Sequence, residues 1–120
     1  MAGGGEFRVD TRLPKASASA AASGPGRVRV RCRSSESGRC SVRVVAGSSV
    51  ARRLHLGRHA TTLGRASASI HSPGRSLTVR LSTKARRALR RYGRAPVTVR
   101  VTITDAAGNA VTRSLRATVR

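Results

Sequence analysis

Apolar and polar residues alternate with a period of two in Arg27-Val28-Arg29-Val30-Arg31-Cys32-Arg33, in Cys40-Ser41-Val42-Arg43-Val44 and in Val97-Thr98-Val99-Arg100-Val101-Thr102-Ile103. Successive side chains of a strand point to opposite faces, so this alternation, written in β-branched residues, predicts strands with one buried and one wet face. The same reading gives strands near 26–33, 39–46, 75–82 and 97–103, and a last strand burying Val111, Leu115, Ala117 and Val119. Two fainter strands are expected near 50–56, with Val50, Leu54 and Leu56 inward, and near 62–70, resting on Leu63 and Ile70. Turn-forming residues separate them at Ser34 to Gly38, Gly47 to Ser49, Ser72 to Gly74 and Asp105 to Asn109.

The period changes once. In Ser82 to Gly93 the positions Ala85, Ala88, Leu89 and Tyr92 follow the i, i+3, i+4, i+7 stripe of a short amphipathic helix near residues 83–92. Ser82 or Thr83 can cap its start and Gly93 can end it. Arg90, Arg91 and Arg94 near its end suit the helix dipole, whereas Lys84 at its start does not. Arg86, Arg87, Arg90 and Arg91 are expected on the opposite, wet face. Residues 1–24 are rich in Gly, Ala and Ser and read as a flexible linker able to lend an edge strand near Lys15 to Ala20, ahead of a domain over residues 25–120. Short strands at regular spacing, with one helical crossing and no βαβ rhythm, predict an all-β antiparallel sandwich of about seven to eight strands.

With 120 residues there is room for one domain, and 38% hydrophobic against 24% charged residues is a globular balance. What departs from the ordinary is the sign of the charge: 25 basic residues, all arginine except Lys15 and Lys84, face four acidic ones, for a net +21. Such a surplus attracts polyanions, whether nucleic acid, anionic cell-wall polymers or acidic headgroups. GC-rich codons for Arg, Ala and Gly are a second source of the same composition. The arginines expected to meet a polyanion are Arg27, Arg29, Arg31 and Arg33, a row along one strand face, with Arg86, Arg87, Arg90 and Arg91 on the helix. Only Phe7 and Tyr92 are aromatic, so binding to nucleic acid, the alternative function, would be weakly selective.

A strand ending in Cys32, a short loop to Cys40, an arginine-bearing helix between two late strands, and Asp105-Ala106-Ala107-Gly108-Asn109 before the last strand together resemble the bacterial immunoglobulin-like repeats of secreted and cell-surface proteins. Asp10-Thr11-Arg12-Leu13-Pro14 is similar to the Asp-Thr-x-x-Pro joint between such repeats. The resemblance implies an immunoglobulin-like sandwich acting as a structural or adhesive module, with neighbouring domains of a larger polypeptide as partners and an extracellular or cell-surface location. The chain lacks the Trp of antibody-type domains, and its cysteines lie eight residues apart rather than being expected across the sheets.

Two cysteines in a small β-domain fit an oxidising compartment, and the spacing leaves a Cys32–Cys40 disulfide and two buried thiols both open. His55, His59 and His71 do not share a face in strand or loop, so no metal site is expected from them. Asp10, Asp105 and Asn109 could converge at one pole on a calcium ion, but turn residues of this kind ordinarily bond their own backbone. The carboxylates Glu6, Asp10, Glu36 and Asp105 fall in linker or turns, and no nucleophile elbow or phosphate-binding glycine loop is present, so neither an enzyme nor a cofactor is expected. No apolar run is long enough for a membrane span, and no signal-peptide core opens the chain; the expectation is a soluble chain without membrane insertion, with an internal start at Met1 to Gly5 within a longer secreted polypeptide as the alternative.

Overall fold

The computed structural model describes residues 16–34, 37–71 and 74–120. Among them the alternating segments form seven strands: β1 (Ala16–Gly24), β2 (Arg27–Ser34), β3 (Gly38–Ala46), β4 (Thr61–Ile70), β5 (Gly74–Arg80), β6 (Ala95–Asp105) and β7 (Ala110–Val119). Two helices interrupt them, α1 (Ser48–Arg53) and α2 (Thr83–Tyr92). The strands make a three-stranded sheet in the order β1-β2-β5 and a four-stranded sheet in the order β4-β3-β6-β7, with every pairing antiparallel. The fold is an all-β sandwich.

The period-two text explains how the sheets find each other. On β2, Val28, Val30 and Cys32 are buried while Arg27, Arg29, Arg31 and Arg33 are exposed. β6 repeats the pattern with Val97, Val99, Val101 and Ile103. These rows meet Val42 and Val44 of β3 and Val79 of β5 in one continuous core, and each fully buried aliphatic side chain contributes about 1.5–3 kcal/mol. A one-residue slip of register would carry every arginine of β2 into that core, so the pattern specifies the register as well as the strand. β1 is the thin edge. It packs only Ala18 and Ala20, both half-buried, against the core. It nevertheless pairs with β2 from Ala16 to Gly24, so the ordered edge runs beyond Ala20 and takes in residues 16–24, which composition alone assigns to the linker.

The segment expected as a strand near 50–56 is the helix α1 with a short tail. Inward positions 50, 54 and 56 suit a strand only if position 52 is apolar too, and it is Arg52. Ala51 and Leu54, three apart, are buried instead, with Val50 half-buried beside them, which is helical spacing. Helix α2 follows its expected course: the Ser82 hydroxyl accepts from the Ala85 N–H at 3.2 Å, and the N–H of Gly93 reaches Leu89 O at 2.9 Å. Both helices close the same pole, where β3 ends, β6 begins and the β1–β2 turn lies. At the other pole β2, β4 and β6 end and β3, β5 and β7 begin.

At the helical pole, Gly26 ties three segments together. Its N–H donates to Arg120 O at 2.7 Å and its carbonyl accepts from Leu81 N at 2.9 Å. Its φ of +68° is the value that the third residue of a type II turn requires after Pro25.

Candidate anion-binding surfaces

Cys32 and Cys40 form a disulfide with Cα atoms 6.5 Å apart, both side chains fully buried. Cys32 belongs to the three-stranded sheet and Cys40 to the four-stranded one. The bridge therefore joins the two sheets, contrary to the expectation from the eight-residue spacing, because the chain changes sheets between the two cysteines. Of the two pairing states the spacing allowed, the bridge is the one present.

The β2 arginines stand in a row on the outer face of the three-stranded sheet, all four exposed. Alternate residues of a strand are about 6.6–6.8 Å apart, so the row is about 20 Å long. Small side chains flank it: Ser17 and Ser19 of β1 pair with Arg33 and Arg31, and Ser76 and Thr78 of β5 pair with Arg31 and Arg29. Shallow grooves of ≈ 220–290 Å³ run along its two sides. Arg80 stands opposite Arg27 at the helical pole and adds to the row's charge there.

On α2, Arg87, Arg90 and Arg91 are exposed as expected, but Arg86 is half-buried. Its stem turns back over Gly26, one guanidinium N–H reaches the Thr83 hydroxyl at 3.1 Å, and its Nε is buried with no hydrogen-bond partner among the described residues. Arg86 is thus a packing residue more than a free cation, since close approach at a glycine draws the stem inward. Arg53 of α1 adds charge to the same pole by donating to the carbonyls of Tyr92 and Arg94, at 3.2 and 2.8 Å, where the end of α2 leaves acceptors open.

The opposite sheet carries a second arginine array that sequence reading did not single out. In register, Arg43 of β3 pairs with Arg65 of β4 on one side and with Arg100 of β6 on the other. Two residues along, Ser41 pairs with Ser67 and Thr102, and Thr102 pairs with Thr112 of β7. These two rows line a trough of ≈ 680 Å³ on the outer face of the four-stranded sheet. Along one edge, Arg39 donates to the Ser67 hydroxyl at 3.2 Å, and the Thr102 and Thr112 hydroxyls lie 3.2 Å apart. The only available signal was an outward arginine in each of three separate strands. Their alignment is a property of register, which no single strand displays.

Among the described residues, no carboxylate neutralises these arrays. Asp105 is the one Asp or Glu among the described residues, and it is engaged elsewhere: its Oδ1 accepts from the N–H groups of Ala107 and Asn109, at 2.9 and 2.8 Å, and its Oδ2 from the Asn109 side chain at 3.2 Å. Desolvation pushes its carboxyl up, but the hydrogen bonds from Asn109, Ala107 and Gly108 outweigh it and hold the group below its ordinary value. This turn closes on itself, so Asp105 is spent on the turn's backbone N–H groups and on the Asn109 side chain, and Asn109 on Asp105; Asp10 lies outside the described residues, as do Glu6, Glu36 and Phe7.

The histidines do not converge. His55, with a left-handed φ of 57°, stacks on Tyr92 at 4.6 Å between ring centroids, while His71 lies within 3.3 Å of the Ser37 hydroxyl. No set of three His, Cys, Asp or Glu side chains among the described residues is placed to hold a metal ion. Tyr92, expected on the buried face, is half-buried, with the Arg91 guanidinium 5.6 Å from its ring centre. No helix among the described residues is long and apolar enough to cross a membrane.

No protein-family model matches this chain, and no curated protein matches it. Among solved structures, the chain is similar to part of DesR, a β-glucosidase from Streptomyces venezuelae crystallised with D-glucose, at 14% identity and a TM-score of 0.40. That match covers 84% of this chain and 15% of the enzyme's, so the chain spans a small fraction of the length of that protein.

Proposed function

We propose that this chain is a non-catalytic structural or adhesive module of the extracellular surface, an immunoglobulin-like unit of a larger polypeptide that holds anionic polymers against its basic outer faces. The observation that carries the reading is the pair of outward arginine arrays, one on each sheet, with no carboxylate among the described residues beside either. Repulsion between like charges weakens a folded domain, whereas a polyanion turns the same charges into binding energy. The strand order supports the immunoglobulin-like reading, since the non-consecutive pairs β2–β5 and β3–β6 are the crossovers of a Greek-key sandwich. A place in a chain of domains is supported by the two ends of the described sandwich: β1 starts at one pole, beside Ser34, and β7 finishes at the other, beside Ala95. The disulfide suits an oxidising compartment.

The test is a titration of the folded chain with fluorescent anionic polymers, a phosphodiester glycopolymer and single-stranded DNA, from about 20 to about 150 mM salt, across which charge screening deepens. Binding at the low end that fades with salt is the expected result. Absence of binding to any polyanion at about 20 mM removes the adhesive part of the reading. DNA binding that alone survives about 150 mM salt replaces it with nucleic-acid recognition.

A further inference from the structure

We propose that the trough on the four-stranded sheet is a specific site for a glycan carrying phosphate or sulfate esters, with the anion on Arg43, Arg65 and Arg100 and the sugar hydroxyls on Ser41, Ser67, Thr102 and Thr112. The inference rests on the proposed contact with anionic polymers and names the place and the chemistry.

Three arginines directly across neighbouring strands are an unfavourable arrangement for the sheet itself, because like charges opposite one another destabilise the pairing. Strand spacing puts the outer two about 10 Å apart at their Cα atoms with Arg43 between them. Planar guanidinium groups on that spacing can converge on one tetrahedral anion, each offering paired N–H donors to its oxygens. The hydroxyl row lies two residues away along the strands, about 6.6–6.8 Å from the arginines. Hydroxyls both donate and accept, which matches the hydroxyls of a sugar next to its ester group. Bases would need aromatic side chains to stack on, and none lines this trough. The β2 row differs in geometry: its arginines run along a single strand, with serines, a threonine and alanine as most of their lateral partners. It therefore offers a linear track and no focus for one anion.

Three variants of the full chain separate these ideas: Arg43→Gln/Arg65→Gln/Arg100→Gln, a charge-matched control Arg29→Gln/Arg31→Gln/Arg33→Gln, and the charge-neutral Ser41→Ala/Thr102→Val. Calorimetry is run with a sulfated heparin octasaccharide, with a ribitol-phosphate oligomer and with inorganic polyphosphate. The melting temperature of each variant confirms folding, which changes on the outer faces of the sheets, exposed except at half-buried Thr102, should preserve. The trough variant is expected to weaken the better of the two saccharide ligands by about tenfold or more, and the control by no more than about threefold. The hydroxyl variant is expected to weaken that ligand but not polyphosphate. The octasaccharide and the ribitol-phosphate oligomer distinguish a sulfate from a phosphate source. Equal losses in the two arginine variants overturn the site while leaving general polyanion binding in place. A hydroxyl variant that binds every ligand as the wild type does overturns the glycan assignment, as does tighter wild-type binding to oligo-dT, titrated alongside as a fourth anion, than to either of the first two ligands. Failure of the wild type to bind any of these anions overturns the underlying adhesive reading as well.

Discussion

The aliphatic stem of Arg86 lies on the backbone of Gly26, in the space where any other residue would place its Cβ. The glycine is therefore required twice, once for its left-handed φ and once for the room it leaves an arginine from α2. Together the two residues fasten the helix to the turn that opens β2, where the arginine row begins.

Replacing Gly26 with Ala should lower stability by about 1–2 kcal/mol from backbone strain alone, with the collision against Arg86 added to it. Arg86→Ala in the same background should restore the collision component and leave the strain. Urea denaturation of both single variants and the double variant measures this: a coupling of at least about 0.5 kcal/mol is expected for residues in contact. Strict additivity would show that the stem moves aside freely.

Joining the two sheets through Cys32 and Cys40 closes a short loop, and the chain-entropy model assigns such a bridge about 2–3 kcal/mol. Reduction, or the double substitution Cys32→Ala/Cys40→Ala, should destabilise the domain by about that amount, plus a smaller packing loss for the Ala variant. Alkylation in native buffer should label neither sulfur, and labelling should appear only after reduction and unfolding. An unchanged midpoint of denaturation in reductant would count against the bridge as a stabilising link.

Asp105 has a lowered pKa in the folded chain because its oxygens accept several hydrogen bonds in the β6–β7 turn. The carboxylate form is thus bound more tightly by the native state than by the unfolded chain. Its contribution is present in full above the unfolded value, near 3.8, and is lost as pH falls through the lower folded value. The wild type should therefore lose more stability than Asp105→Asn on acidification below that point, and the two curves should run parallel above it. Thermal melts across the acid range provide the comparison. Parallel curves throughout would show that the turn is indifferent to its charge.

Much of the fold was legible because alternation is a local property. Val28, Val30 and Cys32 declare a buried face without reference to any neighbour, and the i, i+3, i+4, i+7 stripe of Ala85, Ala88, Leu89 and Tyr92 declares α2 in the same way. The segment at 50–56 misled because a six-residue helix holds too few apolar positions to separate its period from that of a strand. Arg52 was the available sign. The charge-bearing sites were half legible. Arg27 to Arg33 line up along one strand and can be seen in the text, whereas Arg43, Arg65 and Arg100 come from three strands and meet only when registers are set. Arg86 was misplaced because the helical period gives the direction of a side chain, and only the neighbouring Gly26 gives the room for it to turn inward.

By itself, then, the sequence determined the all-β class, the inward faces of its clearest strands, the helix α2 and the excess of arginine on the outside, since each follows from the periodicity and chemistry of contiguous residues. Tertiary structure alone decided which strands are neighbours. That choice placed Cys32 and Cys40 on opposite sheets and Arg43 between Arg65 and Arg100, because pairing depends on the packing of segments far apart in the chain.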